Sequence, residues 1–205
     1  MTTIEGGMIS TNDSELHDLV RMLRSHGMVR ESSNENTKKK YLAEYPDLNP
    51  DFIFANYSHN MRPTELNALL GLSQLKRLDS NNSKRTKNLN LFLSKLNSKV
   101  FQTDFFVDGS SNYAFTLVMK EGSFELRDQI ETLLRGNGVE FRRGLSGGGN
   151  QLRQPYLRKL GGFPAPESLP NTDHVHHFAW YIGNFPDLES SRIEWLCELL
   201  QTVGG

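Results

Sequence analysis

Apolar residues recur at helical spacing through most of the first hundred positions, and strand-like runs replace them afterwards. Leu16, Leu19, Val20 and Leu23 form the first stripe. Asn12 with Glu15 three residues on has capping-box spacing at its start, and Gly27 stops it. Before it, Met8-Ile9-Ser10 reads as a short strand end with almost nothing to pair with. After it, the polar stretch Glu31 to Lys40 reads as a solvated loop. Pro63 sits where a first-turn proline belongs, and Leu66, Leu69, Leu70 and Leu75 carry a helical stripe to about Leu78. A second helix is predicted over Ser83 to Leu96, with Leu89, Phe92, Leu93 and Leu96 on one face.

Near residue 100 the character changes. Tyr113 to Met119 has the β-branched and aromatic content of a strand. Ser123 to Leu134 predicts a helix with Phe124, Ile130, Leu133 and Leu134 inward, ended by Gly136-Asn137-Gly138. Val139 to Phe141 and Ala179 to Ile182 predict two more strands, and Ser190 to Leu200 a terminal helix. This second half is a small α+β domain able to fold by itself. Two or three helices and one strand stub do not make a sheet domain, so the first half reads as part of something larger.

Composition narrows the class. The chain has 205 residues, 37% hydrophobic and 23% charged, with a net charge of -1. That balance argues against a general nucleic-acid surface. A single cysteine, Cys197, excludes a disulfide scaffold and a cysteine-based zinc site. No apolar run approaches a membrane span, and Met1 to Gly7 has neither the basic nor the apolar region of a signal peptide. A cytoplasmic setting is the expectation, in which the three Asn-x-Ser patterns carry no meaning.

Three segments hold candidate chemistry. Glu5-Gly6-Gly7 allows close backbone approach or simply a tight turn. Asn60-Met61-Arg62-Pro63-Thr64-Glu65 precedes a helix, where free N–H groups favour an anion; Asn60 offers a donor to a phosphate and Arg62 a guanidinium fork. A capped helix with a surface arginine is the plain alternative. The third segment, Phe141 to Tyr156, sets Arg142, Arg143 and Arg153 around Gly147-Gly148-Gly149-Asn150. Guanidinium forks and flexible N–H groups suit a diphosphate or carboxylate, although a surface loop has the same composition. It matches neither a Walker loop nor a dinucleotide fingerprint. His174, His176 and His177 do not share one helical face and read as surface histidines rather than a metal site. Cys197, Trp180 and Tyr181 read as core.

Taken in order, Thr2-Thr3-x-Glu5-Gly6-Gly7, Arg24-Ser25-His26-Gly27, Asn60-Met61-Arg62-Pro63-Thr64-Glu65-Leu66-Asn67-Ala68 and Gly71-Leu72-x-Gln74-Leu75 resemble the DegT-type sugar aminotransferases. Asn150-x-Leu152-Arg153-Gln154-Pro155-Tyr156 is most similar to the branch of 4-keto-6-deoxy-sugar 3-dehydratases. Ile4, where aminotransferases commonly have glycine, leans the same way.

The resemblance implies an α/β fold, α+β in its C-terminal half: the C-terminal part of a PLP-dependent transferase type I fold. Residues 1–100 would be a remnant of the large PLP-binding domain with interdomain helices, and residues 101–205 the small C-terminal α+β domain. It implies pyridoxal 5'-phosphate as cofactor of the intact enzyme, a nucleotide-linked keto sugar as substrate and a homodimer, with no nucleic acid or membrane partner. Asn60 and Arg62 would then be cofactor-binding, and Arg142, Arg143, Asn150 and Arg153 substrate-binding. Glu5 and His26 would be structural or would support the residues that touch the ligand.

In the family the Schiff-base lysine, histidine in the dehydratases, precedes the segment matching Met1-Thr2-Thr3. Lys76, Lys84 and Lys120 lie outside that motif. The chain alone is therefore expected to be inactive. A stand-alone binding or dimerisation module that ignores PLP and nucleotide sugars is the alternative.

Overall fold

The computed structural model describes residues 1–145 and 147–203, and the chain divides into two compact units, Met1–Arg77 and Leu78–Gly205. The division precedes the one expected near residue 100, because the helix that starts at Leu78 packs on the terminal helix of the second unit.

In the first unit, α1 spans Ser14–Leu23, α2 Glu35–Glu44 and α3 Glu65–Leu75. Asp13, not Asn12, caps α1: its carboxylate accepts the N–H groups of Glu15 and Leu16 at 2.9 and 3.1 Å. The buried face of α1 is Asp18 and Met22, whereas Leu16 and Leu19 are exposed. Asp18 accepts hydrogen bonds from Ser32 Oγ at 2.8 Å, from the Ser33 N–H at 2.6 Å and from the Asn34 N–H at 3.3 Å.

That carboxylate explains a correction. The stretch expected to be a solvated loop is largely helix α2, capped by Asn34 and carrying a Lys38–Glu35 pair at 2.8 Å. With no buried residue on α2, no hydrophobic period could announce it. Met8-Ile9-Ser10 forms no strand, and Met8 and Ile9 are exposed. Pro63 lies ahead of the N-cap Thr64, which closes a capping box with Asn67. Asn67 Nδ2 also donates to the Thr3 carbonyl at 2.6 Å, laying the N-terminal segment on α3. No residue of α3 is buried; Leu66, Leu69, Leu72 and Leu75 are all exposed.

The second unit is an antiparallel sheet of β1 (Ala114–Val118), β2 (Phe141–Arg143) and β3 (Ala179–Gly183), in the order β1-β3-β2. Among the described residues five α-helices accompany it: α4 Leu78–Lys95, α5 Phe124–Gly136, α6 Pro155–Leu160, α7 Pro170–Phe178 and α8 Ser190–Gln201. β2 starts two residues later than predicted, because Val139 is spent closing α5 by donating its N–H to the Leu134 carbonyl.

Alternation sends Phe115, Leu117, Trp180 and Ile182 to one face, where they join Phe92, Ile130, Leu134, Ile193 and Leu200 in the core. Phe92 and Phe115 stack at 4.5 Å. Phe124, expected inward, is exposed at the start of α5. Cys197 is buried between α8 and α4, and burial pushes its thiol up to about 12.

Candidate functional site

Asn60 and Arg62 lie on a short ribbon in the first unit. The His26 N–H donates to the His59 carbonyl at 2.9 Å and the Met61 N–H to the Arg24 carbonyl at 2.8 Å, with Ser25 and Asn60 as the bridge pair. Gly27 permits this return, since a Cβ there would lie 1.9 Å from the Asn56 carbonyl oxygen. Asn60 Oδ1 accepts from Arg62 Nε at 3.3 Å, and Arg62 Nη1 stands 4.0 Å from Glu31. The Asn60 amide N–H groups have no partner among the described residues. Both side chains are exposed, so the ribbon presents an amide donor beside a guanidinium. This donor set fits a phosphate.

In the second unit, strand alternation separates two of the predicted arginines. Arg142 is in register with Tyr181 and Arg143 with Trp180, so they leave opposite faces of the sheet. The Arg142 guanidinium lies over the Tyr181 ring at 5.8 Å. It borders a cleft of about 630 Å³ lined also by Tyr113, Phe185, Arg192 and Trp195. Neither Arg142 nor Arg192 has a carboxylate partner among the described residues. Arg143 points to Glu131 at 3.3 Å. That buried carboxylate also accepts from Trp180 Nε1 at 3.0 Å and from Arg135 at 2.9 Å. Arg143 thus ties β2 to α5.

The glycine-rich segment after β2 is held at both ends; Ser146 within it lies outside the described residues. The Gly144 N–H donates to the Ala179 carbonyl at 2.8 Å. At the far end Asn150 is 1% exposed. Its amide donates to the Pro166 carbonyl at 3.0 Å and to Asp173 Oδ1 at 3.2 Å, its Oδ1 accepts the Leu152 N–H, and its own N–H meets His176 Nδ1 at 3.2 Å. Arg153 forks onto Asp173 at 2.6 and 2.8 Å and reaches Glu167 at 2.9 Å. The Arg153 guanidinium, aided by Asn150, holds the Asp173 carboxyl down at about 2. Asn150 and Arg153 are therefore engaged with α7 and its approach, although they were expected to contact substrate.

The three histidines are half-buried rather than on the surface, each with a different neighbour. His174 Nε2 lies 2.7 Å from the Met119 carbonyl, His176 takes the loop, and His177 is 3.9 Å from Asp173. Burial pushes the His177 imidazole down, against the opposite pull of Asp173. Sequence reasoning missed Asp173, Arg192 and the cleft-facing side of Tyr181. Asp173 had a signal, since it stands three residues before His176 on a helix that follows the arginines.

The profile of the DegT/DnrJ/EryC1/StrS aminotransferase family matches residues 1–201. A GDP-4-keto-6-deoxy-D-mannose 3-dehydratase of Escherichia coli O55:H7 is 27% identical over 202 residues, covering 98% of this chain and 51% of that protein. A UDP-4-amino-4,6-dideoxy-N-acetyl-beta-L-altrosamine transaminase of Helicobacter pylori is 30% identical over 142 residues, covering 68% and 34%. The solved structure of an E. coli GDP-4-keto-6-deoxy-D-mannose-3-dehydratase with bound hydrated PLP superimposes with a TM-score of 0.79 at 27% identity, over 97% of this chain and 50% of that one. The chain spans about half the length of the curated relatives it matches.

Proposed function

Since the chain belongs to the DegT/DnrJ/EryC1/StrS aminotransferase family, we propose that it is the C-terminal portion of a PLP-dependent enzyme acting on a nucleotide-linked keto sugar. The finer reading is the 4-keto-6-deoxy-sugar 3-dehydratase. One observation carries it: similarity to the 3-dehydratase runs over 98% of the chain, against 68% for the transaminase. The higher identity to the transaminase, 30% against 27%, keeps sugar aminotransferase as the second reading. Assembly as a homodimer belongs to the same proposal.

Asn60 and Arg62 would hold the cofactor phosphate, the Asn60 amide through its unpartnered N–H groups and Arg62 by turning its exposed guanidinium from Glu31 to the dianion. Bound pyridoxal phosphate supplies the electron sink for charge developing on the sugar. Arg142 would meet the anionic part of the nucleotide sugar, with Tyr181 fixing its guanidinium from behind. Arg143, Asn150 and Arg153 act through the fold, engaged with Glu131, the Pro166 carbonyl and Asp173, setting the strand and loop from which Arg142 works. None of these residues offers a base, and Lys84 is spent on Asp187 at 2.8 Å. The chain alone should therefore bind without turnover.

Titration of the chain with GDP, followed by calorimetry, tests this. Arg142→Ala should weaken binding roughly 10- to 100-fold, the worth of one charge-assisted hydrogen bond, while Arg158→Ala should not. Equal affinity of wild type and Arg142→Ala, or no GDP binding by the wild type, rejects the substrate assignment.

A further inference from the structure

We propose that His176 is a positioning residue whose neutral ring, acting through the Asn150 N–H, holds the glycine-rich segment in register for ligand binding. The inference rests on the reading that Arg142 and the segment following it serve a nucleotide sugar.

The Asn150 N–H has one partner among the described residues, His176 Nδ1 at 3.2 Å. An imidazole accepts at Nδ1 only when that nitrogen carries no proton, so the contact selects the neutral ring with its hydrogen on Nε2. Gly149 brings the backbone against the ring: a Cβ there would stand 2.5 Å from His176 Nδ1 and 2.8 Å from its Cα, at a φ of +81°. No side chain fits between segment and helix.

Asp173 lies three residues earlier, on the same face of α7. It supplies the opposite kind of hold, a carboxylate gripping Asn150 Nδ2 and the Arg153 fork. The two contacts differ in what can replace them. The Arg153 fork is partly exposed, so water can solvate it if Asp173 is lost. Asn150 is buried, so loss of the imidazole acceptor leaves an N–H with nothing to meet. With Gly144 fixed to β3 at the other end, the His176 contact anchors the backbone of the segment at Asn150.

Amide exchange on the full chain, read at Asn150 with Trp180 and Ile182 of β3 as internal references, tests the assignment. His176→Phe keeps bulk and removes the acceptor; it should speed exchange at Asn150 roughly 3- to 10-fold, the range of one hydrogen bond, with β3 unchanged. His176→Asn, whose carboxamide oxygen can stand where Nδ1 stood, should stay within about 2-fold of wild type. Gly149→Ala should behave like His176→Phe. GDP affinity should fall for His176→Phe and recover for His176→Asn.

Unchanged Asn150 exchange in both His176→Phe and Gly149→Ala overturns the proposal, as does His176→Asn behaving like His176→Phe. Should His176→Phe loosen β3 as well, Gly149→Ala and His176→Asn decide by the same criterion. A wild type that ignores GDP while Asn150 responds as described rejects the nucleotide-sugar reading and keeps the positioning contact.

Discussion

Replacing Asp173 with asparagine removes one charge and almost no volume. In the folded chain Arg153 reaches both carboxylate oxygens, at 2.6 and 2.8 Å, and holds the acid at about 2 against an ordinary value of 3.8. A depressed folded value means that the ionised form stabilises the fold. The contribution is complete above the unfolded value, near pH 4, and is lost as pH falls through the folded value near 2. The shift sets a ceiling of about 2 kcal/mol. Because the side chain is 18% exposed, screening reduces this to roughly 1 kcal/mol.

Asp173→Asn should therefore lower the urea-derived unfolding free energy by that amount at pH 7. The gap between variant and wild type should shrink to about half by pH 3. A gap that is the same at pH 7 and pH 3 would refute the ionic account, leaving only packing. No gap at pH 7 would show that Arg153 and Asn150 find equal partners without the charge.

Three further outcomes follow from other parts of the molecule. Asp18→Ala removes the buried acceptor shared by Ser32 Oγ, the Ser33 N–H and hydroxyl and the Asn34 N–H, and should cost about 2 kcal/mol, measured as a lower urea midpoint by circular dichroism. Burial alone would raise the Asp18 carboxyl, but the Ser32, Ser33 and Asn34 donors outweigh it and hold it low, so this stabilisation too should fade only as pH drops below the ordinary carboxylate range. Cys197, its thiol pushed up to about 12, should resist a disulfide reagent at pH 8 in the folded chain and react at once in urea; fast labelling of the folded chain would contradict its burial. The exposed leucines of α3 should drive self-association, seen by sedimentation and relieved by Leu69→Lys with Leu72→Lys; a wild type that stays monomeric at high concentration would count against it.

What could be read from sequence alone was whatever local spacing encodes. The apolar periods of α5 and α8, the β-branched and aromatic runs of β1 and β3, and the ordered motifs that carry the family resemblance all depend on residues near one another in the chain. The contact between Asn60 and Arg62 is local in the same way, two positions apart and at 3.3 Å.

Tertiary structure decided the rest. Helix α2 is fixed by its cap and by Asp18 from another element, so it has no apolar stripe to announce it. Arg142 and Arg143 are neighbours in sequence with the same side chain; the pairing of β2 with β3 sends one over Tyr181 at the cleft and the other to Glu131. Asn150 and Arg153 looked like ligand donors until α7, some twenty residues later, brought Asp173 and His176 against them. A donor's role depends on which acceptor reaches it first, and that is settled by packing between distant segments, which a one-dimensional pattern does not contain.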